Sequence, residues 1–414
     1  MKKIILFRKA LNQEGGAERL MLETASRAKN FGFESHVVVL TGGDTAKLFN
    51  GLFSHIQVET LHSSDYPSGL YSKIAISFLA IIKLRSLIRR INPDCILAHG
   101  SDDVEMLYFA TIFTGYAYST FIFWSLFRLA GDPIKYLFPF RKVFPEIRNF
   151  VWGHKDFIPE QAPPLGLLAR IIAQSRAIVD YFAVRKARSI FVPSNQMGWE
   201  VGKLYGKEFI VIKTGIDKKM FDYSARQDMK QKLGIEGKTM ILEVSRLDPQ
   251  KRMDLAISAF GEIARDFPDA LFVIGGRGPD RVRLEELIDK LNLKNRVILA
   301  GFIPEGDLFD LYASCDLVLH PAWVDFDISF MEPLALGKKI VCSTEYDLMD
   351  NLLKLKGELI FPANPTVKEM SQSLKIALSH QPQLVDSLKN LLFEYTWDDY
   401  TQKLFAHLKN DNRR

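Results

Sequence analysis

The sequence predicts an α/β protein made of two doubly wound parallel sheets, one after the other. Three observations predict it. Apolar bursts of strand length alternate with amphipathic helical patterns through nearly the whole chain, the pattern of βαβ units. A length of 414 residues exceeds what one ordinary core fills, so two domains are expected. The strand–helix series also restarts near residues 200–207. We place the first domain at residues 1–205 and the second at 206–383, with a helical segment at 384–412 returning to the first.

The expected strands of the first half are Ile4–Phe7, His36–Leu40, Cys95–His99, Thr120–Trp124 and Ile190–Pro193. Those of the second are Phe209–Lys213, Met240–Val244, Leu271–Ile274, Val297–Ala300, Leu317–His320 and Ile340–Ser343. Helices are signalled at Ala17–Asn30, Leu167–Lys186, Asp254–Asp266, Arg281–Leu291 and Asp307–Ala313. The first strand superficially resembles a signal peptide, but its apolar run stops at Arg8, too short for an h-region. Met106 to Phe127 is charge-free and long enough to raise the question of a membrane span. Gly115 and the surrounding Thr111, Thr114, Tyr116 and Tyr118 divide it into helix, turn and strand instead.

Hydrophobic content of 47% with 25% charged residues is that of a globular protein. The net charge of +5 is mild, and its basic residues are interspersed with apolar ones, so no nucleic-acid partner is implied. Cys95, Cys315 and Cys342 lie far apart in apolar runs, which argues for reduced, buried thiols in the cytoplasm and against a metal cage.

Chemistry concentrates at the ends of the strands, each of which runs into a glycine-rich or basic loop and then a helix. In open parallel sheets ligands bind there, where helix N-termini offer free N–H groups to anions. Gly15 and Gly16 follow the first strand and let a backbone approach a phosphate; a plain loop before a helix-start glutamate is the alternative. Arg246 and Lys251 stand five residues apart in one such turn. Arg grips phosphate with a planar fork and Lys adds a mobile charge, a pair suited to a departing diphosphate. Arg277, Gly278 and Pro279 form a turn whose missing side chains leave room for a base or ribose; a loop that simply needs positive φ is the alternative. Phe302 and Ile303, after Gly301, place backbone groups where a base edge would be read. Glu332, read as opening a helix, can accept both ribose hydroxyls, or alternatively satisfy the helix dipole.

Together these residues resemble the group-1 (family 4) glycosyltransferases, retaining enzymes of the GT-B fold. Arg246 and Lys251 match that family's basic loop, with Ser245 and Arg252 where two glycines are usual. Thr214-Gly215-Ile216-Asp217, Pro193-Ser194, Gly15-Gly16 and Trp397 match further motifs along nearly the full chain. The resemblance implies two Rossmann-like domains facing across a cleft that holds a nucleoside-diphosphate sugar. It also implies a C-terminal helix returning to the first domain and a metal-independent transfer to a glycan or lipid-linked acceptor. The donor is a substrate, so no cofactor is expected. His99 matches a histidine of the family that contacts donor or acceptor hydroxyls; the alternative is a satisfied loop residue.

One departure stands out. The family places a glutamate eight positions before the one matched by Glu332, and here that position is Val324. Phe326 keeps the family's phenylalanine, while Asp325 and Asp327 replace its flanking glycines. Either Asp325 takes over the sugar contact, or the donor sugar is read differently, or activity is weakened. The rival functions are a nucleotide-sugar epimerase on the same fold and a nucleotide-binding subunit without full catalysis.

Two first-domain segments combine basic and apolar residues: Ile74–Arg90 and Phe127–Phe150. Such a mixture suits an anionic membrane surface. The first is expected to pack on the core with its charges solvated. The second, interrupted by Pro133, Pro139 and Pro145, is equally suited to an acceptor or membrane loop. The expected location is the cytoplasm, either free or peripheral on the inner face of the membrane.

Overall fold

The computed structural model describes residues 1–11, 15–62, 70–123, 167–322, 328–345, 348, 350–382 and 388–410. The chain forms two compact units, Met1–Lys213 with Asp398–Arg414, and Thr214–Trp397. Each is built on one parallel sheet.

The strands of the first unit are β1 (Lys2–Leu11), β2 (Phe33–Gly42), β3 (Val58–Thr60), β4 (Cys95–Ala98), β5 (Ser119–Phe121), β6 (Ile190–Val192) and β7 (Ile210–Val211). They lie in the order β3-β2-β1-β4-β5-β6-β7, all pairs parallel. Ile4 to Phe7 are fully buried, as a central strand covered on both faces requires. The chain order reverses between β1 and β4, so the crevice at their carboxyl ends is the unit's topological switch point. Helices α1 (Gly16–Arg27), α2 (Leu70–Ile91), α3 (Ser101–Thr111), α4 (Leu167–Lys186) and α5 (Asn195–Tyr205) connect the strands. Ser194 caps α5, its hydroxyl accepting the Met197 N–H at 3.0 Å.

In the second unit the strands are β8 (Thr239–Val244), β9 (Ala270–Gly275), β10 (Val297–Gly301), β11 (Leu317–His320), β12 (Lys339–Ser343) and β13 (Ile360–Ala363). Their order is β10-β9-β8-β11-β12-β13, again parallel, with the switch point between β8 and β11. The main helices are α6 (Met253–Ile263), α7 (Arg281–Lys290), α8 (Glu305–Ser314), α9 (Ile328–Ala335), α10 (Val367–Ser379) and α11 (Leu388–Leu392). Met240, Leu242, Val318 and Ile340 pack on one face with Leu311, Phe330 and Leu334. Ile241, Leu317, Leu319 and Val341 pack on the other with Ala256, Phe260 and Leu374. Period-two alternation therefore sorts one continuous apolar strand onto two cores.

The structure moves several expected boundaries. Phe209–Lys213 was assigned to the second sheet, but Ile210 and Val211 pair with Phe191 and Val192 of β6 and close the first. The segment expected to return from residue 384 divides later: Leu388, Leu392 and Tyr395 belong to a core of the second unit. Only from Asp398 does the last helix, α12 (Trp397–Asn410), join the first unit. There Tyr400 Oη lies 3.1 Å from Thr24 Oγ1, and Phe405 stacks on Phe31 at 5.1 Å. Trp397, at the start of this helix, belongs to the second unit and lies against Gly215; a Cβ on Gly215 would come within 2.5 Å of its backbone. Two strands were not expected: β3 is too brief to show alternation, and β13 carries Pro362, which an edge strand tolerates.

The charge-free run from Met106 resolves, as far as residue 123, into the end of α3, a turn with Phe113 and Gly115 at positive φ, and β5. Among the described residues no helix is long and apolar enough to cross a membrane. The three cysteines are buried and unbridged, and burial raises the Cys315 and Cys342 thiols to about 12.

Candidate functional site

At the carboxyl end of the second sheet, the loops after β8 and β9 are hydrogen-bonded to each other. Ser245 N–H donates to the Gly275 carbonyl at 3.0 Å, Leu247 N–H to Arg277 at 2.9 Å, and Asp280 N–H back to Leu247 at 3.1 Å. This pairing explains the glycines. A Cβ on Gly276 would lie 1.8 Å from the Ser245 carbonyl oxygen, and one on Gly278 would lie 2.0 Å from that of Leu247. The space they leave is thus filled by the neighbouring backbone, not kept open for a base or ribose as the sequence suggested. Gly301, just before Phe302 and Ile303, accepts the Gly276 N–H at 2.6 Å.

The loop so held carries Arg246 and Lys251. The Arg246 side chain is 70% exposed, 3.2 Å from the Asp248 carboxylate. Lys251 is half-buried, and its N–H donates to the Asp248 carbonyl at 3.0 Å. Arg252 has φ +50 at the start of α6, a left-handed conformation that glycine adopts freely. Its buried guanidinium is ion-paired with Glu345, which holds the loop to the end of β12. Arg277, Pro279 and Phe302 are exposed, and the Arg277 guanidinium sits 5.4 Å from the Phe302 ring centroid. Ile303 fills the space beside Gly275.

Glu332 is 2% exposed and lies in the second turn of α9, not at its opening. That removes the helix-dipole alternative, which needs a first-turn position. Val324, Asp325, Phe326 and Asp327 lie outside the described residues. At the switch point itself is a pair the sequence reading missed. His320 Nδ1 is 3.2 Å from Glu243 Oε1, both residues being buried, and the His320 ring meets Phe330 of α9 edge-on at 5.7 Å. The available signal was a carboxylate inside an otherwise apolar strand.

The first unit's switch point is also polar. Gly15 caps α1 in extended geometry, and Glu18 folds back over it, so a Cβ there would lie 2.5 Å from Glu18 Oε2. The helix start at Gly15 and Gly16 therefore already faces a carboxylate, supporting the dipole alternative over a bare phosphate loop. Arg8 Nη2 donates to Glu18 Oε1 at 2.7 Å, and Nη1 donates to the His99 carbonyl at 2.6 Å. His99 is fully buried after β4, and among the described residues neither ring nitrogen has a hydrogen-bond partner. Burial, with the Arg8 charge adding to it, lowers its pKa to about 3. The satisfied-loop alternative fails for this ring. The structure thus places Arg246, Lys251, Arg277, Gly278, Pro279, Phe302, Ile303 and Glu332 in the second unit, and Gly15, Gly16 and His99 in the first. Arg8 went unread because it served only to mark where an apolar run stopped.

The α2 segment packs Leu84, Leu87 and Ile88 into the core and leaves Lys83, Arg89 and Arg90 exposed, as expected; Arg85 alone is half-buried, donating to the carbonyls of Phe109, Ala110 and Ile112. Phe78, Leu79 and Ile82 also face outward, and Phe113 is 96% exposed. Phe127–Phe150 lies outside the described residues.

Residues 225–390 match the family model described as glycosyl transferases group 1. An uncharacterised glycosyltransferase of Methanocaldococcus jannaschii is 27% identical over 55% of this chain and 62% of its own length. Alpha-monoglucosyldiacylglycerol synthase of Acholeplasma laidlawii is 26% identical over 48% of this chain and 50% of its own. The chain thus spans about half to three fifths of these relatives' lengths. Among solved structures, Anabaena HepE in complex with UDP and glucose superposes with a TM-score of 0.73 at 17% identity, covering 99% of this chain and 100% of that one. Sucrose-phosphate synthase of Thermosynechococcus elongatus gives 0.77 at 14% identity, covering 99% of each. These likenesses identify the fold as GT-B.

Proposed function

We propose that the chain is a group 1 glycosyltransferase, the family whose model matches residues 225–390, and that it moves a hexose-type sugar, with retention, from a nucleoside-diphosphate sugar to a lipid-linked or polysaccharide acceptor. The observation that carries the reading is the hydrogen-bonded double loop at the second switch point. It holds Arg246 and Lys251 on one turn at the carboxyl end of a parallel sheet, with Glu332 buried in the same unit. In the reaction the bond from the anomeric carbon to the diphosphate oxygen breaks as a bond to the acceptor oxygen forms on the same face. The acceptor proton passes to a phosphate oxygen. Arg246 and Lys251 offset the charge developing on the departing diphosphate, and Glu332 grips the ribose. Structural neighbours bound to UDP and UDP-glucose favour that donor class.

Arg246→Ala and Lys251→Ala are each expected to lower turnover on the order of 10²–10³-fold, with UDP or GDP raising the wild-type melting temperature. Normal turnover in both variants would end this reading.

A lipid-linked acceptor is favoured by outward-facing Phe78, Leu79, Ile82 and Phe113 beside basic α2. Relatives matched over part of the chain include a phosphatidylinositol N-acetylglucosaminyltransferase subunit and a phosphatidylinositol monomannoside mannosyltransferase. The protein is expected to pellet with anionic liposomes, less so in high salt. Failure to pellet at low salt would rule out a membrane-bound acceptor.

A further inference from the structure

We infer that Arg8 is the positioning residue of the first switch point: its guanidinium joins the His99 carbonyl to the Glu18 carboxylate and so presents the His99 ring to a sugar hydroxyl. The inference rests on the reading above in taking that hydroxyl from the donor or acceptor.

Three donors of one planar group are engaged. Nε donates to the Ala10 carbonyl at 3.1 Å, Nη1 to His99 at 2.6 Å and Nη2 to Glu18 at 2.7 Å, with Asp103 Oδ2 3.9 Å from Nη1. They tie the end of β1, the start of α1 and the β4–α3 turn into one body. A lysine, with a single point of charge, cannot reproduce that fork. The ring beyond it has two nitrogens without partners among the described residues, and a buried polar group left unmet is costly enough to signal a role. A neutral imidazole offers one donor and one acceptor. Two hydroxyls, one at each nitrogen, answer both, whereas a phosphate, with acceptors alone, answers one. The ligand class is therefore a polyol.

Burial is the larger reason the ring stays neutral, and the surrounding charges add to or oppose it. From β1 these are Arg8 and Lys9, from α1 Glu18, and from α3 Asp103 and Glu105. Glu105 is paired with Lys9 at 3.4 Å and with Arg176 of α4 at 3.0 Å. β5 brings no charge. Removing the Arg8 charge leaves Glu18 and Asp103 to favour a protonated ring.

The test uses Arg8→Gln, which keeps a donor but loses the charge, and Arg8→Lys, which keeps the charge but loses the fork. His99 is followed by NMR titration of the labelled imidazole, assigned with His99→Gln. The ring is expected to take up its proton at higher pH in Arg8→Gln than in wild type, and to be unmoved in Arg8→Lys. An unmoved midpoint in Arg8→Gln overturns the proposal. Turnover of Arg8→Lys is expected to fall about tenfold to a hundredfold while its affinity for UDP or GDP stays at the wild-type value. Loss of both together, or of neither, overturns it as well, and this arm decides if Arg8→Gln does not fold. Should wild type transfer no sugar at all, the transferase reading fails, and the titration still judges Arg8.

Discussion

Replacing Gly278 with alanine tests whether the second switch point is organised by contact between two loops. Its φ lies outside the left-handed range, so the methyl group brings no backbone penalty, only a collision. The new Cβ would stand 2.0 Å from the Leu247 carbonyl oxygen, where about 3.0 Å is the closest that real contacts reach. The β8 loop must therefore retreat by about 1 Å, the difference of those two distances. A shift of that size breaks the 2.9 Å and 3.1 Å hydrogen bonds linking Leu247 to Arg277 and Asp280. At ~1 kcal/mol each, their loss predicts a destabilisation of about 2 kcal/mol. Arg246 adjoins Leu247 and moves with it, and a displacement of ~1 Å at a reacting group costs up to about 10²-fold in rate. Denaturant unfolding measures the first quantity and nucleotide release from a donor sugar the second. Wild-type stability and turnover with only nucleotide affinity lost would refute the loop-contact argument and restore the view that the glycine makes room for a ligand.

Two further substitutions probe the scaffold. Tyr205→Phe removes a hydroxyl that donates to the buried carboxylate of Asp180 at 2.7 Å. It should cost about 2 kcal/mol and lower the melting temperature by roughly 4–8 °C; an unchanged melting curve would show the bond to be idle. Arg252→Gly relieves a left-handed residue, worth about 1–2 kcal/mol, but strips Glu345 of its cation, which costs about 3–5 kcal/mol. The second effect is the larger, so urea unfolding should show net destabilisation, and a more stable variant would reverse that ranking.

The order of strands and helices was readable from the chain because parallel strands covered on both faces must be apolar along their length. Ile4–Phe7 and Leu317–His320 announce themselves in that way. The basic loop was readable because Arg246 and Lys251 interrupt such a series at a strand end. Where β7 pairs was not, since Ile210 and Val211 suit either sheet and only the Phe191 and Val192 partners choose. Nor was the function of the glycines readable. Gly276 and Gly278 say that a side chain is forbidden, without saying what stands in its place.

From the residues alone came the two-sheet architecture, the likeness to a glycosyltransferase family and the cationic loop, because periodicity and local chemistry are written along the chain. Folding decided the rest. It filled the glycine turn with neighbouring backbone, paired Glu243 with His320 from two separated strands, and set Arg8 between His99 and Glu18. Those outcomes depend on which distant segments meet across a sheet, and a one-dimensional pattern of polarity does not specify such meetings.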